Sequence, residues 1–231
     1  MKKTDPRQVR ELQRREDFKS SIVHAAEAVF LRKGIPATTM DDVARQAQLS
    51  KATLYRYVRS KGDLLFEIVV QFYDDVIVQL EEVLRSPERS ARAKLVAAIR
   101  GALAFQEAKR NVARLILMDP AVLKLMRVFA EEESKAQSAS ARRFVQMLKA
   151  KRQALLAVGE RLIALGVESG EFRPLDVRAA VQFLEAVIQG HIHSQFLFDS
   201  DRTIDELTET IARFVLSGIE NKSQPVKGAS R

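Results

Sequence analysis

TTMDDVARQAQLSKATLYRYVRSKGDLL, residues 38–65, is the stretch from which the fold is read. It predicts two short helices, a tight turn between them, and the start of a third, longer helix. Thr39 is a good N-cap, and Asp42 completes a capping-box pattern ahead of Val43, Ala44 and Ala47. Asp41 and Asp42 also set negative charge at the positive end of that helix. After the turn Gln48-Leu49-Ser50, Ser50 is placed to cap a second helix from Lys51 to about Val58. Leu49, Leu54 and Val58 have the spacing to face inward, which leaves Lys51, Thr53, Tyr55, Arg56 and Tyr57 facing outward. Ser60 with Asp63 repeats the capping pattern and opens a helix at Lys61.

A short helix-turn-helix with Lys, Thr, Tyr and Arg on its outer face suits a DNA major groove. Lys51 and Arg56 reach guanine edges or phosphates, while Thr and Tyr hydroxyls donate to phosphates. The bland alternative is a helical hairpin with an ordinary solvated face. Residues Thr39, Val43, Ala44, Ala47, Leu49, Ser50, Thr53, Leu54, Tyr55, Tyr57, Ser60, Lys61, Leu64 and Leu65 resemble, in register, the DNA-binding segment of the TetR (tetracycline-repressor-like) family of transcriptional regulators. The pattern departs at Val58, commonly Phe in the family, and at Gly62, commonly acidic. The resemblance implies that DNA is contacted from Thr39, Ser50, Lys51, Ala52, Thr53, Tyr55, Arg56, Tyr57 and Lys61. Lys51 and Tyr55 are expected at base edges; Thr39, Tyr57 and Lys61 are expected at phosphates.

Charge agrees with a nucleic-acid partner. The net charge is +8, and residues 1–66 carry 14 Lys and Arg against 8 Asp and Glu, leaving the remainder near neutrality at 24 against 22. The excess sits with the helix-turn-helix, as in a phosphate-binding module joined to a neutral body. No uncharged apolar run approaches bilayer length, and MKKTDPRQVR leads into further charge and not into an apolar core, so a cytoplasmic protein is expected with no membrane partner. With no cysteine, thiolate nucleophiles and disulfides are excluded. No metal motif, phosphate-binding glycine loop or nucleophile elbow is found, so neither a cofactor nor an enzyme is expected.

The whole chain reads as all-α: an N-terminal three-helix helix-turn-helix domain followed by a helical bundle for ligand binding and dimerisation. Residues 1–15, with Lys2, Lys3, Arg7, Arg10, Arg14 and Arg15, read as a basic disordered arm for phosphates or a minor groove, or as a solubilising tail. The DNA-binding domain is set at 16–62, the ligand-binding and dimerisation domain at 63–221, and a loose tail at 222–231. Helices are expected over about 17–33, from Lys61 for about 24 residues, and over 91–108, 112–118, a segment from Asp119-Pro120, 138–168 with a frayed end at Gly166 and Gly170, 176–198, and from Thr203.

One helix-turn-helix binds weakly, whereas a two-fold dimer reading two half-sites binds usefully. The last two helices are the dimer candidates. Ala179, Ala186 and Gly190 allow close approach there, and Ile211 and Phe214 exclude water. Family members resemble Ω-shaped dimers joined through these helices. The resemblance further implies a small-molecule effector in the C-terminal body. Candidate lining residues are Phe105, Leu115, Met118, Met126, Phe129, Phe144, Met147, Phe183, Val187 and His191, though Met and Phe make ordinary core equally well. The expected function is a dimeric repressor of a palindromic double-stranded DNA operator, released by an apolar or amphipathic ligand. The alternative is a ligand-independent DNA-binding protein whose body takes a protein partner.

Overall fold

Helical spacing of apolar residues governs most of the elements in the computed structural model, which describes residues 6–87, 90–110, 112, 139–197 and 202–221. In chain order the helices are α1 (Pro6–Lys33), α2 (Met40–Gln46), α3 (Lys51–Tyr55), α4 (Lys61–Arg85), α5 (Ala91–Ala108), α6 (Ala139–Glu168), α7 (Val177–Leu197) and α8 (Ile204–Ile219). No strand forms among the described residues; Phe172 and Glu220 make a single antiparallel bridge. The helices expected over 112–118 and from Asp119 lie outside the described set, apart from Val112. Contacts divide the described residues into two compact units, the first holding 6–72 with 139–145 and the second 73–112 with 146–221, so that the boundaries fall inside α4, between Phe72 and Tyr73, and inside α6, between Val145 and Gln146.

In the first unit, α1 departs from expectation. Residues 1–15 read as a disordered arm, yet α1 begins at Pro6. Proline suits the first helical position because its missing N–H would be unbonded there anyway. The following RQVRELQRRED is dominated by Arg, Gln, Glu and Leu, all strong helix formers. Growing backwards from a helix already anchored by Ile22, Ala26, Val29 and Phe30 requires no new nucleus. Gly34, with φ +76°, then ends α1 in the left-handed conformation that glycine tolerates best.

α2 carries the expected capping box. The Thr39 hydroxyl accepts from the Asp42 N–H, and the Asp42 carboxylate accepts from the Thr39 N–H at 3.0 Å. That carboxylate also meets the Lys33 ammonium at 2.7 Å, tying α2 back to the last turn of α1. Ser50 caps α3 through the Thr53 N–H. α3 stops at Tyr55, short of the expected Val58, because the Leu54 carbonyl accepts from both Tyr57 and Val58 and tightens the last turn. Val58 is still buried, together with Val43, Leu54, Leu64 and Val69. Between α2 and α3 the backbone passes through Gln48 at φ +57°, and Leu49 donates back to the Ala44 carbonyl at 2.8 Å. The Ser60 hydroxyl caps α4 through the Asp63 N–H, while the Asp63 carboxylate takes the Arg59 N–H.

The second unit is built on Leu95, Ile99 and Leu103 of α5 packed with Leu162 and Ile163 of α6, Val181 of α7, and Leu207, Ile211 and Leu216 of α8. Two polar fixtures secure one end. Lys94 is buried, and its ammonium donates to the carbonyls of Leu84 at 2.6 Å, Ser86 at 2.9 Å and Val83 at 3.3 Å, capping the C-terminus of α4. Glu171 caps α5 from a distance, accepting from the Ala91 and Arg92 N–H groups and the Ser90 hydroxyl. Desolvation raises the Glu171 pKa, and these hydrogen bonds outweigh it, so the carboxyl lies below its ordinary value. Gly166 is no frayed end. It lies within α6, where the Phe172 ring stands 2.1 Å from the position a Cβ would take, so no side chain fits. The helix ends instead through Gly170 at φ +76°.

Lys94→Met keeps the apolar stem and removes the donors to three carbonyls. It is expected to cost about 2 kcal/mol, read as a lower urea midpoint at unchanged slope. For Asp42, the Lys33 ammonium first, and then the Thr39 N–H and hydroxyl, hold the carboxyl well below the usual carboxylate range. Folding therefore favours the ionised form, so its contribution is complete above the unfolded value of about 4 and is lost as pH falls below it. Asp42→Asn is expected to melt lower than the parent at pH 7, with the gap closing from about pH 4 downwards; a gap that stays constant to pH 2 would contradict the assignment.

Candidate DNA-binding surface

α3 presents a short row of side chains that stand outside the core. Lys51, Ala52, Tyr55 and Arg56 are exposed, and Ser50 beside them is exposed too. Leu54 alone of the helix is buried, so the opposite face is left free by the way α3 packs. The Ser50 and Thr53 hydroxyls share a 2.8 Å hydrogen bond, which holds Thr53 half-buried at the start of the helix. Lys51 is not free: its ammonium meets the Asp41 carboxylate of α2 at 2.7 Å, a contact not foreseen from sequence. The Asp41 hydrogen bond and charge raise the Lys51 pKa, so the ammonium stays charged.

Three of the expected contacts are engaged within the protein. The Thr39 hydroxyl donates to Asp42 and accepts from its N–H, so both directions of its bonding serve the capping box. The Lys61 ammonium donates to the carbonyls of Ile35 at 2.9 Å and Pro36 at 3.1 Å, clamping the turn after α1 onto the start of α4. Tyr57 was expected outward; it is half-buried, its ring 4.9 Å from that of Phe18 and tilted by 35°, with the Arg56 guanidinium 5.8 Å from its centroid. Phe18 looked like one more apolar residue of α1, so nothing local announced this pairing.

The expected pocket residues scatter. Leu115, Met118, Met126 and Phe129 lie outside the described residues, as does the side chain of Phe144. Phe105, Val187 and His191 are half-buried, but Met147 is exposed and Phe183 is 73% exposed, so neither lines an enclosed interior. α7 turns Phe183 away from Val181, which is the residue in the core. The Nε2 of His191 and the Oε1 of Gln106 are buried without a hydrogen-bond partner among the described residues. Burial, and then the Arg202 charge, hold the His191 pKa below its ordinary value. Elsewhere in the second unit, Arg152 grips Glu185 through two nitrogens, and burial followed by the Glu185 charge pushes the Tyr73 phenol up.

The expected dimer residues divide. Ala186 and Gly190 are exposed, Ala179 is half-buried, and Phe214 is 69% exposed. Ile211 is a correction: it is 7% exposed and belongs to the core of its own unit. At 100° per residue, Phe214 lies about 60° around α8 from Ile211, on the side away from Ala212 and Leu216. Phe183, Leu184 and Val187 of α7 and Phe214 and Val215 of α8 line one largely apolar groove of about 500 Å³.

The segment that carries this surface is similar to known proteins. Residues 22–68 match the family model described as bacterial regulatory proteins, tetR family. The chain is 29% identical over 178 residues to the HTH-type transcriptional activator FasR of Mycolicibacterium smegmatis, covering 73% of this chain and 80% of that protein. It is 23% identical to the Fatty acid metabolism regulator protein of Bacillus subtilis, covering 87% and 95% of the two chains. Among solved structures, the transcriptional regulator FadR from Bacillus subtilis in complex with stearoyl-CoA shares the fold at a TM-score of 0.67 and 21% identity, over 87% of this chain and 99% of that one. No described helix is long and apolar enough to cross a membrane. The matched segment runs from within α1 to the start of α4, with the exposed face of α3 at its centre, so residues 22–68 carry the DNA-binding segment of the tetR family model and the chain as a whole is similar to transcriptional regulators of that kind.

Proposed function

We propose that this regulator works as a two-fold dimer in the cytoplasm, occupying a palindromic operator as a repressor and leaving it when a fatty-acyl ligand binds. The observation that carries the reading is the unused face of α3, where Lys51, Ala52, Tyr55 and Arg56 stand clear of the core. Lys51 and Tyr55 are assigned to base edges, with Asp41 steering the ammonium until a guanine edge replaces it. Lys61 has three donors and uses two on carbonyls, leaving one for a phosphate at the start of α4. Tyr57, with Ser50 and Thr53, completes the phosphate side. Thr39 acts differently: with its hydroxyl committed, it serves by fixing α2.

The dimer is assigned to α7 and α8. Phe183 and Phe214 expose large apolar surface on one groove, and exposed Ala186 and Gly190 let a second backbone approach closely. The ligand-binding and dimerisation part is assigned to 63–221 and the DNA-binding part to the residues before it. For the effector, support comes from two relatives, one named for fatty acid metabolism and one solved with stearoyl-CoA. A ligand that prefers one arrangement of the body shifts the population of DNA-competent dimers, because two recognition helices must meet half-sites about 34–36 Å apart, or a multiple of that.

Selection of bound duplexes from a random pool is expected to return inverted half-sites, and stearoyl-CoA is expected to lower affinity for the selected duplex. Recovery of unsymmetrical single sites would overturn the dimeric reading, and unchanged affinity at saturating stearoyl-CoA would overturn the acyl effector. Phe214→Glu is expected to give a folded monomer in sedimentation and to weaken binding to the selected duplex.

A further inference from the structure

The residues that continue α1 backwards meet the far end of α3. Glu11, Arg14, Phe18, Arg56 and Tyr57 line one concavity of about 410 Å³ in the first unit. Its floor is the Phe18–Tyr57 ring pair at 4.9 Å, and the Arg56 guanidinium rests against the same Tyr57 ring. No ion pair among the described residues engages Arg14 or Arg56, whereas Lys33, Lys51 and Arg45 nearby all face carboxylates. Two guanidiniums against one carboxylate, Glu11, leave the concavity positive. Arg7 and Arg10 precede Arg14 in the sequence of the same helix.

We infer that this concavity is a second seat for DNA, gripping a backbone phosphate outside the bases that α3 reads. A guanidinium fork matches phosphate oxygens in a plane, and an aromatic floor holds that fork in place at little entropic cost. Free inorganic phosphate is disfavoured as the natural occupant, because the concavity abuts Arg56, the residue that closes α3, and so opens beside the recognition face. From Phe18 back to Pro6, α1 rises by about 18 Å, which matches about five base pairs at 3.4 Å each. The flank on each side of the operator is therefore part of the binding site. This inference rests on the reading of α3 as the recognition helix.

The test compares the selected duplex carrying about ten extra base pairs on each side with the same duplex trimmed to its half-sites, using the full chain and Arg14→Gln. Arg14 is exposed, so the variant is expected to melt like the parent. The parent is expected to lose about tenfold in affinity on trimming, and Arg14→Gln to bind long and trimmed duplexes alike, with a salt slope on the long duplex shallower by about 0.9 per subunit. A parent indifferent to trimming, or an Arg14→Gln variant that loses as much as the parent, would overturn the seat while leaving the α3 reading intact. A parent that binds no duplex overturns the α3 reading itself, and the seat with it.

Discussion

A helix of five residues has no stability of its own in water, so everything α3 displays depends on Leu54 being buried. Leu54 is fully enclosed among the apolar residues of the first unit, with Val43 and Val58 buried beside it. Ser50 supplies a partner for one of the unbonded N–H groups at the start, and the Leu54 carbonyl closes the other end. With a single apolar anchor and two caps, the remaining positions are released from structural duty. That division of labour is why a helix so short presents several polar side chains outward in fixed directions.

Charge in the first unit is arranged in two tiers. Asp42 and Asp41 each hold a lysine, Lys33 and Lys51, across helix boundaries. Exposed pairs of this kind are screened by solvent and add little stability, so their role is to set direction. The Lys33–Asp42 pair is the better sheltered because the carboxylate also closes the capping box, and it belongs to the scaffold. The Lys51–Asp41 pair lies open on both sides and is easily exchanged for another acceptor.

Local signals were the readable ones. Both complete capping boxes, Thr39 with Asp42 and Thr203 with Glu206, are short-range patterns, and each starts a helix where the pattern puts it. α5 runs over the expected residues, Ala91–Ala108, and α6 ends at the expected Glu168. What escaped depends on partners distant in the chain. The Lys61 ammonium finds carbonyls 26 and 25 residues earlier, and Glu171 caps a helix about 80 residues away. On α8, Ile211 and Phe214 are equally apolar, and only the packing of α5 decides which is covered. The start of α1 carries no apolar period at all, so only helix propensity and a proline in the right place marked it.

Gln48 is the only non-glycine residue with positive φ among those described, and it stands in the turn that sets the angle between α2 and α3. A left-handed L-residue carries roughly 1 kcal/mol of backbone strain, and β-branched side chains carry more. The corner therefore screens its own mutational neighbourhood. Glycine or asparagine would slip into it easily, while valine or isoleucine would push α3 out of line with α2 before touching any side chain on its exposed face.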